Sequence, residues 1–193
     1  MALWGITDAD EAKPKWLTTA QKKEVFANNS GWVVEAGSTQ TGNDNTDAQP
    51  EVLCCVGDLA TGIGAADITE IEFITTAFDK SDGGNIDVRV RFNEQVTVDT
   101  SGGTPTLTIT NDTPSRNLTA TYLSGSTTNE LIFRKTIAAA NAATNAGDVL
   151  SIGANPLALA SGTIKDTADG TTNATITSVE AIGTAAGTIT VAA

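Results

Sequence analysis

From Ile68 onward, apolar and polar side chains alternate along the chain with a period of two, the pattern of strands that turn one face to a core. In IDVRVRF, Ile86, Val88, Val90 and Phe92 fall on one face and Asp87, Arg89 and Arg91 on the other. Leu107 and Ile109 alternate with threonines, as do Leu118, Ala120 and Tyr122, while Leu131 and Phe133 alternate with Ile132 and Arg134. Ile71 and Phe73 begin the series, and Leu150 with Ile152, Ile164, Ile176 and Ile189 continue it. Turn-forming runs separate these segments: Asp82-Gly83-Gly84, Ser101-Gly102-Gly103, Ser124-Gly125-Ser126, Gly147-Asp148 and Asp169-Gly170. About seven short strands at intervals of roughly ten residues predict an antiparallel β-sandwich. The alanine-rich stretch from Ile137 to Gly147 breaks the pattern and predicts a short helical or irregular crossover.

The first sixty-odd residues follow a different rule. Thr18 and Gln21 have the spacing of a capping box, so WLTTAQKKEVFANNSGW predicts a helix of about two or three turns, with Val25 and Phe26 as its apolar patch and Asn28-Asn29-Ser30-Gly31 as its end. Trp32 to Val34 and Glu51 to Val56 predict two short strands joined by a polar loop, and Gly57, Gly62 and Gly64 a flexible junction. A helix and two strands carry little hydrophobic mass, a poor prospect for independent folding. The expected organisation is a small segment over 1–66 followed by a sandwich over 67–193.

Composition agrees with the β reading. Hydrophobic residues make up 40% and charged residues 18% of the chain, and threonine, which suits a pleated half-buried surface, is the most frequent residue. A net charge of −12 repels phosphate backbones and anionic lipid, which argues against nucleic acid and membrane as partners, and no apolar run is long enough to cross a bilayer. Cys54 and Cys55 are adjacent, so on a strand they point to opposite faces and cannot readily bridge; they read as small hydrophobes.

Candidate chemistry is thin. Histidine is absent, which removes the commonest general base and metal ligand together. A carboxylate pair of the glycosidase kind remains conceivable, but nine aromatic residues in all leave little to line a sugar cleft, so no enzyme and no cofactor are expected. Two oxygen-rich turns are weighed for calcium: Asp79, Asp82, Asn85 and Asp87 in one, Asp166 and Asp169 in the other. Neither has EF-hand spacing, and both read first as solvated hairpins, so no metal site is assigned. The sequons at Asn28, Asn111, Asn117 and Asn173 are those a threonine-rich chain produces by chance.

The opening MALWGITDADEAKPKWL carries Trp4 and Trp16 on a polar, non-periodic arm. Its short apolar start gives way at once to acidic residues, unlike a secretory signal, so the arm is expected in the mature protein. The two indoles either reach another polypeptide or fold back onto the chain's own sandwich. Lys13, Lys15, Lys22 and Lys23 beside them suit an acidic protein surface or read as solvated helix ends.

Two resemblances sharpen this. The order VRVRFNEQVTV, GTPTLTI, ATYLSGSTTNELIFRKTI, GDVLSIGANPLAL and SGTIKDTADG, from Gly84 to about Thr177, resembles the immunoglobulin-like repeats of large bacterial surface proteins, the giant cyanobacterial swimming-motility protein among them. That resemblance implies an immunoglobulin-like sandwich serving as a scaffold. MALWGITDAD, KPKWL, GWV and the closing GTAAGTITV resemble virion structural proteins of marine and cyanobacterial tailed phages. Together they imply a capsid decoration or cement protein on the outer head surface, synthesised in the host cytoplasm. The implied partners are the major capsid protein and copies of itself, as a trimer, with a weak contact to host-surface glycans as an additional expectation. The residues expected to attach it are Leu3, Trp4, Lys13, Lys15, Trp16 and Trp32. The rival readings are a bacterial surface or secreted adhesion module stiffened by calcium, and a tail or portal-vertex subunit.

Overall fold

A computed structural model describes residues 13–193, and Leu3 and Trp4 therefore lie outside the described residues. The chain is mainly β. The first helix, α1 (Thr19–Lys23), starts where expected: Gln21 N–H donates to the Thr18 hydroxyl and Thr18 N–H donates to the Gln21 side chain. It lasts only five residues. Val25 and Phe26 do not extend it, because β-branched and aromatic side chains pack better in a strand; they open β1 (Val25–Asn28), which pairs antiparallel with β2 (Gly31–Val34). The Asn-Asn-Ser-Gly run expected to close a helix is instead the hairpin turn, in which Asn28 Oδ1 accepts from Ser30 N–H. Gly31, at φ +130°, is needed there: a Cβ at this position would lie 2.0 Å from the Cys54 carbonyl oxygen.

β3 (Glu51–Cys55) pairs with β2 and ends the sheet path, leaving Cys54 half-buried and Cys55 exposed, both as free thiols. The glycine junction holds a further short helix, α2 (Leu59–Gly62), because Leu59 and Ala60 can bury against Trp32. Val25, Ala27, Trp32, Val34, Leu59 and Ala60 form a small apolar cluster of their own.

The larger core belongs to the alternating part. After β4 (Ile68–Phe73) and the two-residue β5 (Phe78–Asp79) comes β6 (Gly84–Asp99), sixteen residues long. Antiparallel neighbours follow in β7 (Thr106–Asn111), β8 (Leu118–Ser124), β9 (Thr128–Ile137), β10 (Val149–Ser151), β11 (Leu157–Ala158) and β12 (Thr163–Asp166). A short helix α3 (Glu180–Thr184) and the last strand β13 (Ile189–Ala192) complete the chain. The order β3-β2-β1-β6-β9-β8-β7-β10-β13-β5, with β4 and β12 also on β6 and β11 on β7, makes one large mixed sheet. Its strands from β4 onward cover the larger core, and β1 and β2 cover the smaller amino-terminal cluster. Two pairings, β1 with β6 and β13 with β5, are parallel, so the sheet is not purely antiparallel.

Ile71, Ile86, Val88, Val90, Phe92, Leu107, Ile109, Leu131, Phe133, Leu150 and Ile164 are all buried in this core, where alternation places them. Tyr122 meets the Phe133 ring edge-on at 6.0 Å and accepts a hydrogen bond from Ser126 N–H. The stretch from Ile137 to β10 is an irregular crossover rather than a helix. The opposite face of β6 departs from expectation. Arg91 is not wet: its side chain is 7% exposed, because the amino-terminal segment lies over it.

Candidate functional site

The seam between the amino-terminal segment and the β-rich body is polar. On the outward face of β4, β6 and β9, pairing sets opposite charges side by side: Glu70 beside Arg91, Glu72 beside Arg89, Glu130 beside Arg91 and Asp87 beside Arg134. Arg91 is the hub. Its Nε donates to Glu130 at 2.5 Å and its Nη1 to Glu70 at 2.8 Å, while Glu72 stands 3.5 Å away and Glu35, just beyond β2, lies 3.3 Å from Nε. Lys23 from α1 closes onto Glu70, and Asn129 Nδ2 donates to Glu35 at 2.7 Å. Burial alone would depress the Arg91 pKa, but Glu35, Glu130 and Glu70 outweigh it and hold the guanidinium above its ordinary value. Glu70 is lowered in the same balance, burial opposing and the bonds from Lys23 and Arg91 prevailing. For Glu35 burial wins: with Glu130 adding repulsion, its carboxyl is pushed up to about 7 despite Arg91.

The attachment residues expected from the sequence divide here. Lys13 Nζ donates to the Lys22 carbonyl at 2.7 Å, and burial brings its pKa down to about 8 against the pull of Glu35 and Glu70. Lys15 is exposed and Trp16 is 62% exposed, so both stand on the outer surface. An apolar groove of about 430 Å³, of whose lining Lys15 and Trp16 are not part, runs between α1 and α3, with Ala181, Ile182 and Ala185 on one side and Lys13, Lys22, Lys23 and Glu70 among its polar lining. Trp32 is not on this surface. It is 1% exposed and fills the small amino-terminal cluster, so its inclusion among the attachment residues is corrected: β1, β2 and α2 close around the ring. Among the described residues no helix is long and apolar enough to cross a membrane.

A second constellation was anticipated only in part: Asp166, with Asp169, is weighed for calcium from the sequence, but Glu94 is passed over. Glu94 of β6 is fully buried, and among the described residues neither of its carboxyl oxygens has a hydrogen-bond partner. It shares a cavity of about 150 Å³ with Asp166, 2% exposed, at the end of β12, and Asn28, Asn29, Gln95 and Thr167 complete the lining. Burial, reinforced by Asp166, pushes Glu94 up to about 9, and burial also raises Asp166. A signal existed: 86, 88, 90, 92, 94, 96 and 98 share one face, so Glu94 is an acid in an apolar row. Apart from Asp166, the carboxylates of the two oxygen-rich turns behave differently from this pair. Asp79 accepts from the Ser81 amide and hydroxyl, Asp87 from Arg134, and Asp169 from the Thr171 and Thr172 amides, so these carboxylates are satisfied within their own turns or strands.

No family model, curated protein or solved structure matches the chain.

Proposed function

We propose that this chain is a virion structural protein of the capsid-decoration kind, binding the outer surface of a phage head through its amino-terminal part and carrying its β-rich body outward. The observation that best supports this reading is Trp16, 62% exposed beside the exposed Lys15 in the amino-terminal segment. Burying such an indole in a pocket of another polypeptide is favourable by roughly 2–3 kcal/mol. The exposed Lys15 favours an acidic patch on the capsid protein. β3 adds to this support, since it has one paired neighbour and exposes Val52, leaving an edge to which a strand of a neighbouring subunit can add. The partners on this reading are the major capsid protein and two further copies of the chain, and the place of action is the exterior of the particle.

The test is co-sedimentation with heads, stripped of the protein, from the virus that encodes it. The full chain binds to a saturable ratio, and Trp16→Ala weakens binding by about 30- to 150-fold, the equivalent of the burial estimate. Undiminished binding by a folded Trp16→Ala protein would refute the assignment of this surface.

A further inference from the structure

The Glu94–Asp166 cavity has no part in the proposed capsid attachment, and it poses a charge problem of its own. Glu94 is in register with Ala27 where β1 meets β6, so the cavity lies on the seam between the amino-terminal segment and the body. Asn28 and Asn29 reach it from one side and Gln95, Asp166 and Thr167 from the other. Among the described residues no cationic side chain pairs with Glu94 or Asp166, although every carboxylate in the neighbouring Arg91 network has such a partner. One Asp166 oxygen accepts from Ala168 N–H at 2.7 Å, whereas among the described residues the Glu94 oxygens have no N–H or hydroxyl donor and meet only the Asp166 carboxyl, close enough for a proton to bridge the two. Two buried carboxyls facing each other must be neutralised by a shared proton or by a cation.

We propose that this cavity is a divalent-cation site of the calcium class, which ties the amino-terminal segment to the β-rich body. The lining has carboxyl, amide and hydroxyl side chains and no thiolate or imidazole, the oxygen chemistry that hard cations select, although Asn28 Oδ1, Asn29 Oδ1 and the Thr167 hydroxyl already hold bonds to Ser30, Thr61 and Thr97. The free space of about 150 Å³ between these side chains admits an ion with a few of its waters, each taking roughly 30 Å³. No group of three or more acidic, cysteine or histidine side chains converges among the described residues, so the two carboxylates would be joined by neutral oxygens and water. A site with so few charges belongs in the weak range, with a dissociation constant of about 10⁻⁴–10⁻³ M.

The experiment is calorimetric titration of the chelator-treated full chain with calcium chloride at pH 7.5, with amide hydrogen exchange followed before and after. The expected result is one ion per chain, with slowed exchange at residues 27–29, 94–95 and 166–168. Glu94→Gln and Asp166→Asn, checked for folding by circular dichroism, should each weaken binding by at least about tenfold, the loss of one charged ligand. Asp82→Asn, in the other acidic turn, should bind as the parent does. Absence of binding by the wild-type chain at several millimolar calcium overturns the proposal in favour of a shared proton, whatever the variants do. Binding that survives in folded Glu94→Gln, or slowed exchange confined to other segments, overturns it as well.

Discussion

Replacing Arg91 by methionine keeps most of the side chain's bulk and removes the charge that four carboxylates surround. Glu130 and Glu70 lose direct bonds at 2.5 and 2.8 Å, and Glu35 and Glu72 lose a countercharge at 3.3 and 3.5 Å. Because Arg91 is buried at the seam, solvent cannot compensate, and removing one partner of a buried ion pair costs about 3–5 kcal/mol. For a chain of this length each kcal/mol lowers the melting temperature by about 2–4 °C, so the expected drop is roughly 6–20 °C in a calorimetric scan. The loss should depend on pH. In the wild type Glu70 is held below its ordinary value, and its contribution is present above the unfolded pKa and lost as pH falls through the folded one. Without Arg91, Glu70 and Glu35 protonate more readily folded than they do in the wild type, so the variant's deficit widens as pH rises from about 5 to 8. Adding Glu35→Gln to Arg91→Met should recover about 0.5–3 kcal/mol, the coupling expected of neighbours in one network. A deficit under about 1 kcal/mol at pH 8, or one unchanged between pH 5 and 8, would refute the electrostatic reading and leave Arg91 a packing residue.

Other expectations can be measured in the same denaturation experiments. Glu35, with its carboxyl pushed up to about 7 from 4.5, favours the folded state when protonated, so its effect opposes folding as pH rises through that window; Glu35→Gln should match the wild type near pH 4 and exceed it by about 1–3 kcal/mol at pH 8. Trp32→Ala should lose about 3–5 kcal/mol in urea unfolding because it empties the amino-terminal cluster, whereas Trp16→Ala should lose less than about 1 kcal/mol while impairing head binding. Gly31→Ala should destabilise by about 1–3 kcal/mol, since the hairpin needs φ +130° and the Cys54 carbonyl occupies the space a methyl would take.

The body of the fold was legible because its alternation is regular: Ile86 to Phe92 and Leu131 with Phe133 could face only one way once strands were assumed, and the structure buries all of them. The capping box of Thr18 and Gln21 was equally legible, being a local device. The length of that helix was not, because Val25 to Ala27 are buried by pairing with Trp32 to Val34, a contact that no reading of the segment alone contains. The same limit hid the state of Arg91. Period two gave its face, but what covers that face comes from Glu35 and Lys23, which lie far away in sequence. The tryptophans show the point most sharply: nothing local distinguishes Trp16 on the surface from Trp32 in the core, and only the closure of β1, β2 and α2 around the latter separates their roles. Glu94 was a buried acid that the pattern could have disclosed, as a charged residue among inward apolar positions, and Asp166, on the same face of its strand as Ile164, was another.

The proposed function turns on whether the amino-terminal surface finds its partner in a larger assembly. Electron cryo-microscopy of the intact virus particle at side-chain resolution tests this most directly. The account predicts three copies of the chain around a symmetry axis on the outer head surface, with the Trp16 indole seated in a pocket of another polypeptide and Lys15 against acidic side chains. A particle in which the chain is absent from the head, or in which Trp16 faces solvent while a different surface makes the contact, would contradict it.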